Sequence, residues 1–213
     1  MMTIHSFVFN PFYENTYVVH SPTGRCVIID PGCYEDFEYQ EVFDYLSMNE
    51  LKVEAVINTH CHIDHVLGNE RLKKKYNVPL KIPKNELEIL NAIPILAPQW
   101  GITGFQTAEV DQFLVEGEKI ILDEIVFEIL EVPGHSPGHQ MFYNKTEKIL
   151  IGGDVLFRES IGRTDLPGGD HSTLITNIQQ KVYSLPDDVT VFPGHGPSTT
   201  IGHEKKHNPF VKG

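Results

Sequence analysis

The chain predicts a layered α/β fold, and three observations carry that prediction. Short apolar runs with strand character alternate with longer stretches of helical spacing, the pattern of helices packed on sheets. Several of the apolar runs end abruptly in loops rich in glycine and proline, as buried strands do where they leave a sheet. A length of 213 residues with 40% hydrophobic content is enough for a substantial core. No Pro/Ser-rich linker, low-complexity tract or solenoid-period repeat divides the chain, so one domain over residues 1–213 is expected.

The elements follow in order. Residues 3–9, 15–20 and 25–30 have strand composition, with turns at Asn10-Pro11-Phe12 and Ser21-Pro22-Thr23-Gly24. Helical spacing covers 36–48 and 66–76, and between them lies the apolar stretch Val53–Thr59. Residues 91–112 fit neither period and predict a loop or short helices near the mouth of a site. Phe127–Val132 alternates as a half-buried strand, Lys148–Ile151 is a short buried strand, and Val189–Phe192 is another. A last helix is expected over 172–184, with Ser172 as its N-cap.

The densest chemical signal is His60-Cys61-His62-Ile63-Asp64-His65, directly after the apolar stretch that ends at Thr59. Imidazole nitrogens and carboxylate oxygens suit zinc, manganese or iron, and a catalytic ion keeps a coordination position open for water. In extended chain alternate side chains face the same way, so His60 and His62 can grip one ion while Cys61 points to the opposite side. A turn at Ile63 would bring Asp64 and His65 toward a second ion. Further ligands must then come from afar, and His135, Asp154 and His195 each follow an apolar run and sit beside glycine. Asp154 has two oxygens and so can bridge two cations.

Thr59-His-Cys-His-Ile-Asp-His65 followed by His135, Asp154 and His195 resembles the metallo-β-lactamase superfamily, and the resemblance covers almost the whole chain. It implies a four-layer αβ/βα sandwich with a dinuclear centre. By that similarity His60, His62 and His135 hold the first metal, Asp64, His65 and His195 the second, and Asp154 both. Pro133-Gly-His-Ser-Pro-Gly-His139, Gly153-Asp154-Val-Leu-Phe157 and Ile161-Gly-Arg-Thr-Asp-Leu-Pro-Gly-Gly-Asp170 are similar to the glyoxalase II type, the hydroxyacylglutathione hydrolases and their short relatives. The chain lacks the cysteine that dedicated zinc β-lactamases commonly place on the second metal, which points away from antibiotic hydrolysis. It also ends at Gly213, without the C-terminal helical segment that longer glyoxalase II enzymes use for glutathione.

The implied reaction is hydrolysis of a thioester such as S-D-lactoylglutathione to D-lactate and glutathione, with two divalent ions, zinc foremost and iron or manganese also suited. Metal-bound hydroxide would attack the carbonyl carbon, one metal would stabilise the oxyanion, and the thiolate would leave without a strong acid. Asp64 or Asp154 would orient the water or accept its proton. Arg163 has two readings, an ion pair with Asp165 or a contact to a substrate carboxylate, and His139 is expected to support a ligand rather than to coordinate. The alternatives are a persulfide dioxygenase with one iron on His60, His135 and Asp154, a hydrolase of another thioester or ester, and a non-enzymatic metal-binding scaffold. His5, His20, His203 and His207 are expected to lie outside the site.

Composition bounds the partners. A net charge of −12 opposes unaided nucleic-acid binding, and the one basic cluster, Arg71-Leu-Lys-Lys-Lys75, reads as a solvated helix face. No run reaches the length of a membrane span and the N-terminus has no signal-peptide pattern, so a cytoplasmic protein acting on a small glutathione-derived molecule is expected. Three cysteines, Cys26, Cys33 and Cys61, cannot all pair, in keeping with a reducing compartment. Oligomeric state is not encoded in any of these features.

Overall fold

The computed structural model describes all residues from Met1 to Gly213. The chain forms two compact units, residues 1–114 with 122–125, and residues 115–121 with 126–213.

The first unit opens on an antiparallel meander, β1 (Thr3–Phe9), β2 (Glu14–His20) and β3 (Arg25–Ile29). It continues in parallel through β4 (Lys52–Ile57), β5 (Leu80–Pro83) and β6 (Gln112–Leu114), in the spatial order β1-β2-β3-β4-β5-β6. Parallel neighbours require crossovers, and α1 (Asp36–Met48), α2 (Asn69–Tyr76) and α3 (Leu87–Leu96) supply them. β2 is buried nearly throughout and β4 over its last three residues, which is why these segments are apolar runs rather than alternating ones. Val18, Ile28, Val56, Leu72, Leu80, Ile82 and Leu90 are wholly buried and form the centre of this unit's core.

Helix α1 starts at a capping box, in which Glu38 at the third position accepts from the backbone N–H of Glu35 at 2.9 Å. Helix α2 ends on Asn77 in the left-handed region at φ 51°, a conformation asparagine tolerates. The expected helix over 66–76 begins later, at Asn69, because Ile63–His65 forms a separate 3₁₀ turn. Residues 91–112 divide into the end of α3, a 3₁₀ turn over Ala97–Trp100 and irregular chain.

The second sheet has the order β14-β13-β10-β9-β8-β7. Its strands are β7 (Lys119–Leu122), β8 (Ile125–Glu131), β9 (Gln140–Asn144), β10 (Ile149–Gly153), β13 (Thr190–Pro193) and β14 (Thr199–Thr200). β10 and β13 run parallel, and a short hairpin of β11 (Leu156–Phe157) and β12 (Ser160–Ile161) follows β10. Helices α4 (His171–Asn177) and α5 (Ile201–His207) complete the unit, and a π-helical turn over Ile178–Val182 prolongs α4.

The N-cap of α4 is Asp170 and not Ser172. The Asp170 carboxylate accepts from the Thr173 backbone N–H at 2.6 Å, while the Ser172 hydroxyl donates to the same carboxylate at 2.8 Å. Aspartate wins because an ionised acceptor satisfies the free amides of a first turn more strongly than a hydroxyl. No helix is long and apolar enough to cross a membrane.

Candidate metal centre

The carboxyl end of β4 delivers the histidine loop. His60 and His62 lie on extended chain, their ring centroids 4.8 Å apart, and each presents a nitrogen within 4.8 Å of the other's. Cys61 between them is fully buried in the apolar core of the first unit, and burial pushes its thiol pKa well up. His60 and His62 thus face one another while Cys61 turns to the opposite side, into the core. The turn expected at Ile63 is the 3₁₀ turn Ile63–His65, and it sets His65 Nε2 3.6 Å from Asp64 Oδ2.

Hydrogen bonds define the tautomer of His60. The Thr59 hydroxyl has one proton, and it donates that proton to Asp30 Oδ2 at 2.6 Å. His60 Nδ1, 3.0 Å from the same hydroxyl, must then be the donor, which leaves Nε2 with its lone pair for a metal. Asp30 also accepts from the Thr59 backbone N–H at 2.7 Å and lies 3.2 Å from His65 Nδ1. One buried carboxylate thus serves two candidate ligands.

More residues shape the loop than the motif contains. Glu86, wholly buried, accepts from the Cys61 backbone N–H at 2.9 Å. Asn58 donates to the His65 carbonyl at 2.8 Å and accepts from Asn69 at 2.8 Å. Asn10 donates to the Asp64 and Gly32 carbonyls, at 3.0 Å each. Glu14 lies behind His65, its carboxyl 3.9 Å from Nδ1, and complete burial pushes its pKa well up. None of these belongs to the metal motif; the available signal was a polar residue at a strand end, as in Ile29-Asp30-Pro31-Gly32.

The second unit brings His135, Asp154 and His195 together. His135 Nε2 and His195 Nε2 lie 3.6 and 3.5 Å from the same oxygen, Asp154 Oδ2. Nδ1 of His135 donates to the Arg163 carbonyl at 2.8 Å, so Nε2 again carries the lone pair. His139 is committed elsewhere: its Nε2 accepts from the Asp154 backbone N–H at 2.9 Å, which makes it a brace for Asp154. Gly162 is required by close approach, since a Cβ there would stand 1.9 Å from the Asp154 carbonyl oxygen.

Arg163 forms the ion pair of the first reading. Its Nε and a terminal nitrogen donate to the two oxygens of Asp165 at 2.6 and 2.7 Å, and the guanidinium holds that carboxyl down at about 2. His5, His20, His203 and His207 lie apart from these sets. His5 stacks on Tyr45, His20 bonds the same tyrosine at 3.2 Å, and His203 pairs with Glu159 at 3.0 Å and packs on His207. On α2, Arg71 pairs with Asp36, Lys74 with Glu70, and Lys75 lies over the Phe43 ring, the solvated face expected of that cluster.

The donor sets suit metal ions. Ligand atoms about 2.0–2.1 Å from one tetrahedral ion stand roughly 3.3–3.4 Å from each other. The contacts from Asp64 to His65 and from Asp154 to His135 and His195 are all 3.5–3.6 Å, long for hydrogen bonds and close to that ligand–ligand edge.

Residues 9–195 match the family model of the metallo-beta-lactamase superfamily. The chain belongs to that superfamily. Hydroxyacylglutathione hydrolase GloC of Haemophilus influenzae is 36% identical to it over 213 residues, covering 99% of this chain and 98% of its own. The crystal structure of BLEG-1, a B3 metallo-beta-lactamase, superposes with a TM-score of 0.89 at 35% identity, covering 99% of this chain and all of its own. That of TTHA1623 in a di-iron-bound form gives 0.85 at 34% identity, covering 97% and 100%. The metallo-β-lactamase fold expected from the motif order is thereby borne out, and the chain is a metallo-hydrolase of the superfamily with a histidine-rich site suited to divalent metal.

Proposed function

We propose that the protein hydrolyses a thioester of the S-D-lactoylglutathione type at a dinuclear centre. In this reading the two units act as one domain, with His60, His62 and His135 on one ion, Asp64, His65 and His195 on the other, and Asp154 shared. The observation that carries it is the position of Asp154 Oδ2, almost equally distant from His135 and His195, which are assigned to different ions. Support also comes from the superfamily model, which spans all seven positions, and from 36% identity to a hydroxyacylglutathione hydrolase over nearly full length.

Two divalent ions held by these residues would supply Lewis acidity, bringing the pKa of a bound water toward neutrality and polarising a carbonyl oxygen. The chain's own groups do the rest. Thr59 and the Arg163 carbonyl hold His60 and His135 in the tautomer that presents Nε2. Asp64 and Asp154 are largely buried carboxylates, and either Oδ atom can take the proton released as water adds to the substrate carbonyl. The departing thiolate, with a parent thiol pKa of about 8.5, needs no strong acid beside it. Arg163, already bound to Asp165, is kept as a substrate contact only through its remaining guanidinium N–H groups.

A second reading rests on the relative described as a B3 metallo-beta-lactamase: β-lactam opening, which is the same addition of water to a carbonyl. One experiment separates the readings. Elemental analysis of the native protein is combined with assays on S-D-lactoylglutathione, on a chromogenic cephalosporin, and for oxygen uptake with glutathione persulfide. Each assay is run before and after chelation. Close to two metal equivalents and chelator-sensitive lactoylglutathione cleavage are expected. Cephalosporin cleavage without thioester cleavage would favour the lactamase reading, and one iron with oxygen consumption would overturn both.

A further inference from the structure

Helix α5 carries a metal-type pattern that the histidine-rich centre does not use. Residues 203–207 read His-Glu-Lys-Lys-His, two histidines about one helical turn apart with a glutamate after the first. On a helix this spacing sets both imidazoles on one face, where they can grip a zinc ion while the glutamate acts as a base. The segment is helical here, and the Thr200 hydroxyl caps it by accepting from the His203 backbone N–H at 3.2 Å. The His203 and His207 ring centroids lie 4.7 Å apart, close to the 4.8 Å of His60 and His62.

A third ligand comes from outside the helix. Glu159, at the turn between β11 and β12, places Oε1 3.0 Å from His203 Nε2. Its backbone is fixed at φ 58°, and its N–H donates to Glu204 Oε2 at 2.9 Å. Asn208, directly after α5, donates to the same Glu204 oxygen at 2.9 Å and to the Ser160 carbonyl at 3.0 Å, which fastens the hairpin to the helix. Glu159 and His203 are therefore already paired. His207 is exposed and its ring bonds no protein group, so rotation about its side-chain bonds completes the set.

The glutamate of the pattern has a different task. Glu204 is wholly buried, and its oxygens are taken by the Thr199 hydroxyl on one side and by the Glu159 N–H and Asn208 amide on the other. A carboxylate committed in this way does not reach a water on an ion at the helix surface. The segment keeps the metal-holding half of the pattern without the hydrolytic half.

We infer that His203, His207 and Glu159 form a further zinc site, built from residues outside the histidine-rich centre, that clamps the β11–β12 hairpin to α5 and does no chemistry. Two imidazoles and a carboxylate are donors that zinc accepts, with water in the remaining position. The hairpin starts at Leu156, two residues after Asp154, so the clamp steadies the segment that leads out of the centre.

The test saturates the protein with zinc, removes loose metal by dialysis, and titrates more zinc by calorimetry into wild type, His203→Ala, His207→Ala and Glu159→Gln. Circular dichroism reports that each variant is folded. Wild type is expected to bind one further equivalent, and its Kd rises at least about tenfold in each variant, the floor set by loss of a supporting partner alone. The metal retained through dialysis stays at the wild-type level. The histidine ring NMR signals that vanish in His203→Ala and His207→Ala shift with the added zinc in wild type, and the same zinc raises the wild-type melting temperature but not that of His203→Ala. No further equivalent in wild type, wild-type affinity in any of the three variants, or ring signals unmoved by zinc would overturn the site. Zinc-dependent peptide cleavage that disappears in His203→Ala would overturn the role given to Glu204. The count is a difference between wild type and variants, so it stands or falls separately from the thioester reading.

Discussion

Thr59→Val isolates the tautomer argument in one group. Valine keeps the shape of the wholly buried threonine and deletes only the hydroxyl, which donates to Asp30 Oδ2 at 2.6 Å and accepts from His60 Nδ1 at 3.0 Å. Asp30 keeps the Thr59 backbone N–H but loses a charged hydrogen bond, for a cost of about 1.5–3 kcal/mol in the metal-free protein. His60 loses the acceptor that keeps its proton on Nδ1, and loss of such an orienting partner lowers metal affinity about 10- to 100-fold. Urea denaturation of the chelated protein at pH 7 reads the first quantity, and competition against a chromophoric zinc chelator reads the second. Serine at the same position retains the hydroxyl and should restore most of the affinity. A loss below about 0.5 kcal/mol together with affinity within threefold of wild type would show that Thr59 does not set the tautomer, and the argument would fail.

Four further outcomes are expected. Asp154→Asn removes the charge between His135 and His195, so metal content falls and thioester cleavage is abolished; full metal content at wild-type rate by elemental analysis and assay would contradict the bridging assignment. Cys61→Ser places a hydroxyl in an apolar pocket and costs about 1–3 kcal/mol in urea denaturation while leaving metal stoichiometry unchanged. Gly162→Ala forces a Cβ against the Asp154 carbonyl, and a thermal melt of the chelated protein should register a loss of about 1–3 kcal/mol. Asp123, held at about 2 by hydrogen bonds from Ser21, Thr23 and Arg25, binds its proton less tightly folded than unfolded. Its stabilisation is therefore present above the ordinary carboxylate range and lost as pH falls through about 2. The urea midpoint of Asp123→Asn should lie below wild type at pH 6 and converge with it at the acid end, and a gap that stays constant with pH would refute that linkage.

Local chemistry made much of the fold legible. Residues 3–9 and 36–48 form the elements their patterns predict, to the residue, because a half-buried strand and a capped helix each write their period into consecutive positions. The helix expected over 172–184 divides into an α-helix and a π-helical turn, and its N-cap moves to Asp170, because two cap candidates stand two positions apart and the carboxylate takes the first-turn amide more strongly than the Ser172 hydroxyl. The histidine loop was legible for a related reason: His60, His62, Asp64 and His65 are neighbours in sequence, and the path of a short loop suffices to set His60 beside His62 and Asp64 beside His65.

By itself the sequence determined the α/β class, the superfamily, and the residue types that suit a divalent metal, since these depend on period, spacing and donor chemistry along the chain. Only the tertiary structure decided that Asp30 serves both Thr59 and His65, that Glu86 and Asn10 hold the loop from either flank, that His139 braces Asp154, and that Arg163 closes on Asp165. All but the last join residues at least fifteen positions apart, and Asp165 was one of two open partners for Arg163. A hydrogen bond is decided by where a donor and an acceptor finish to within a few tenths of an ångström, a quantity that packing sets and composition does not carry.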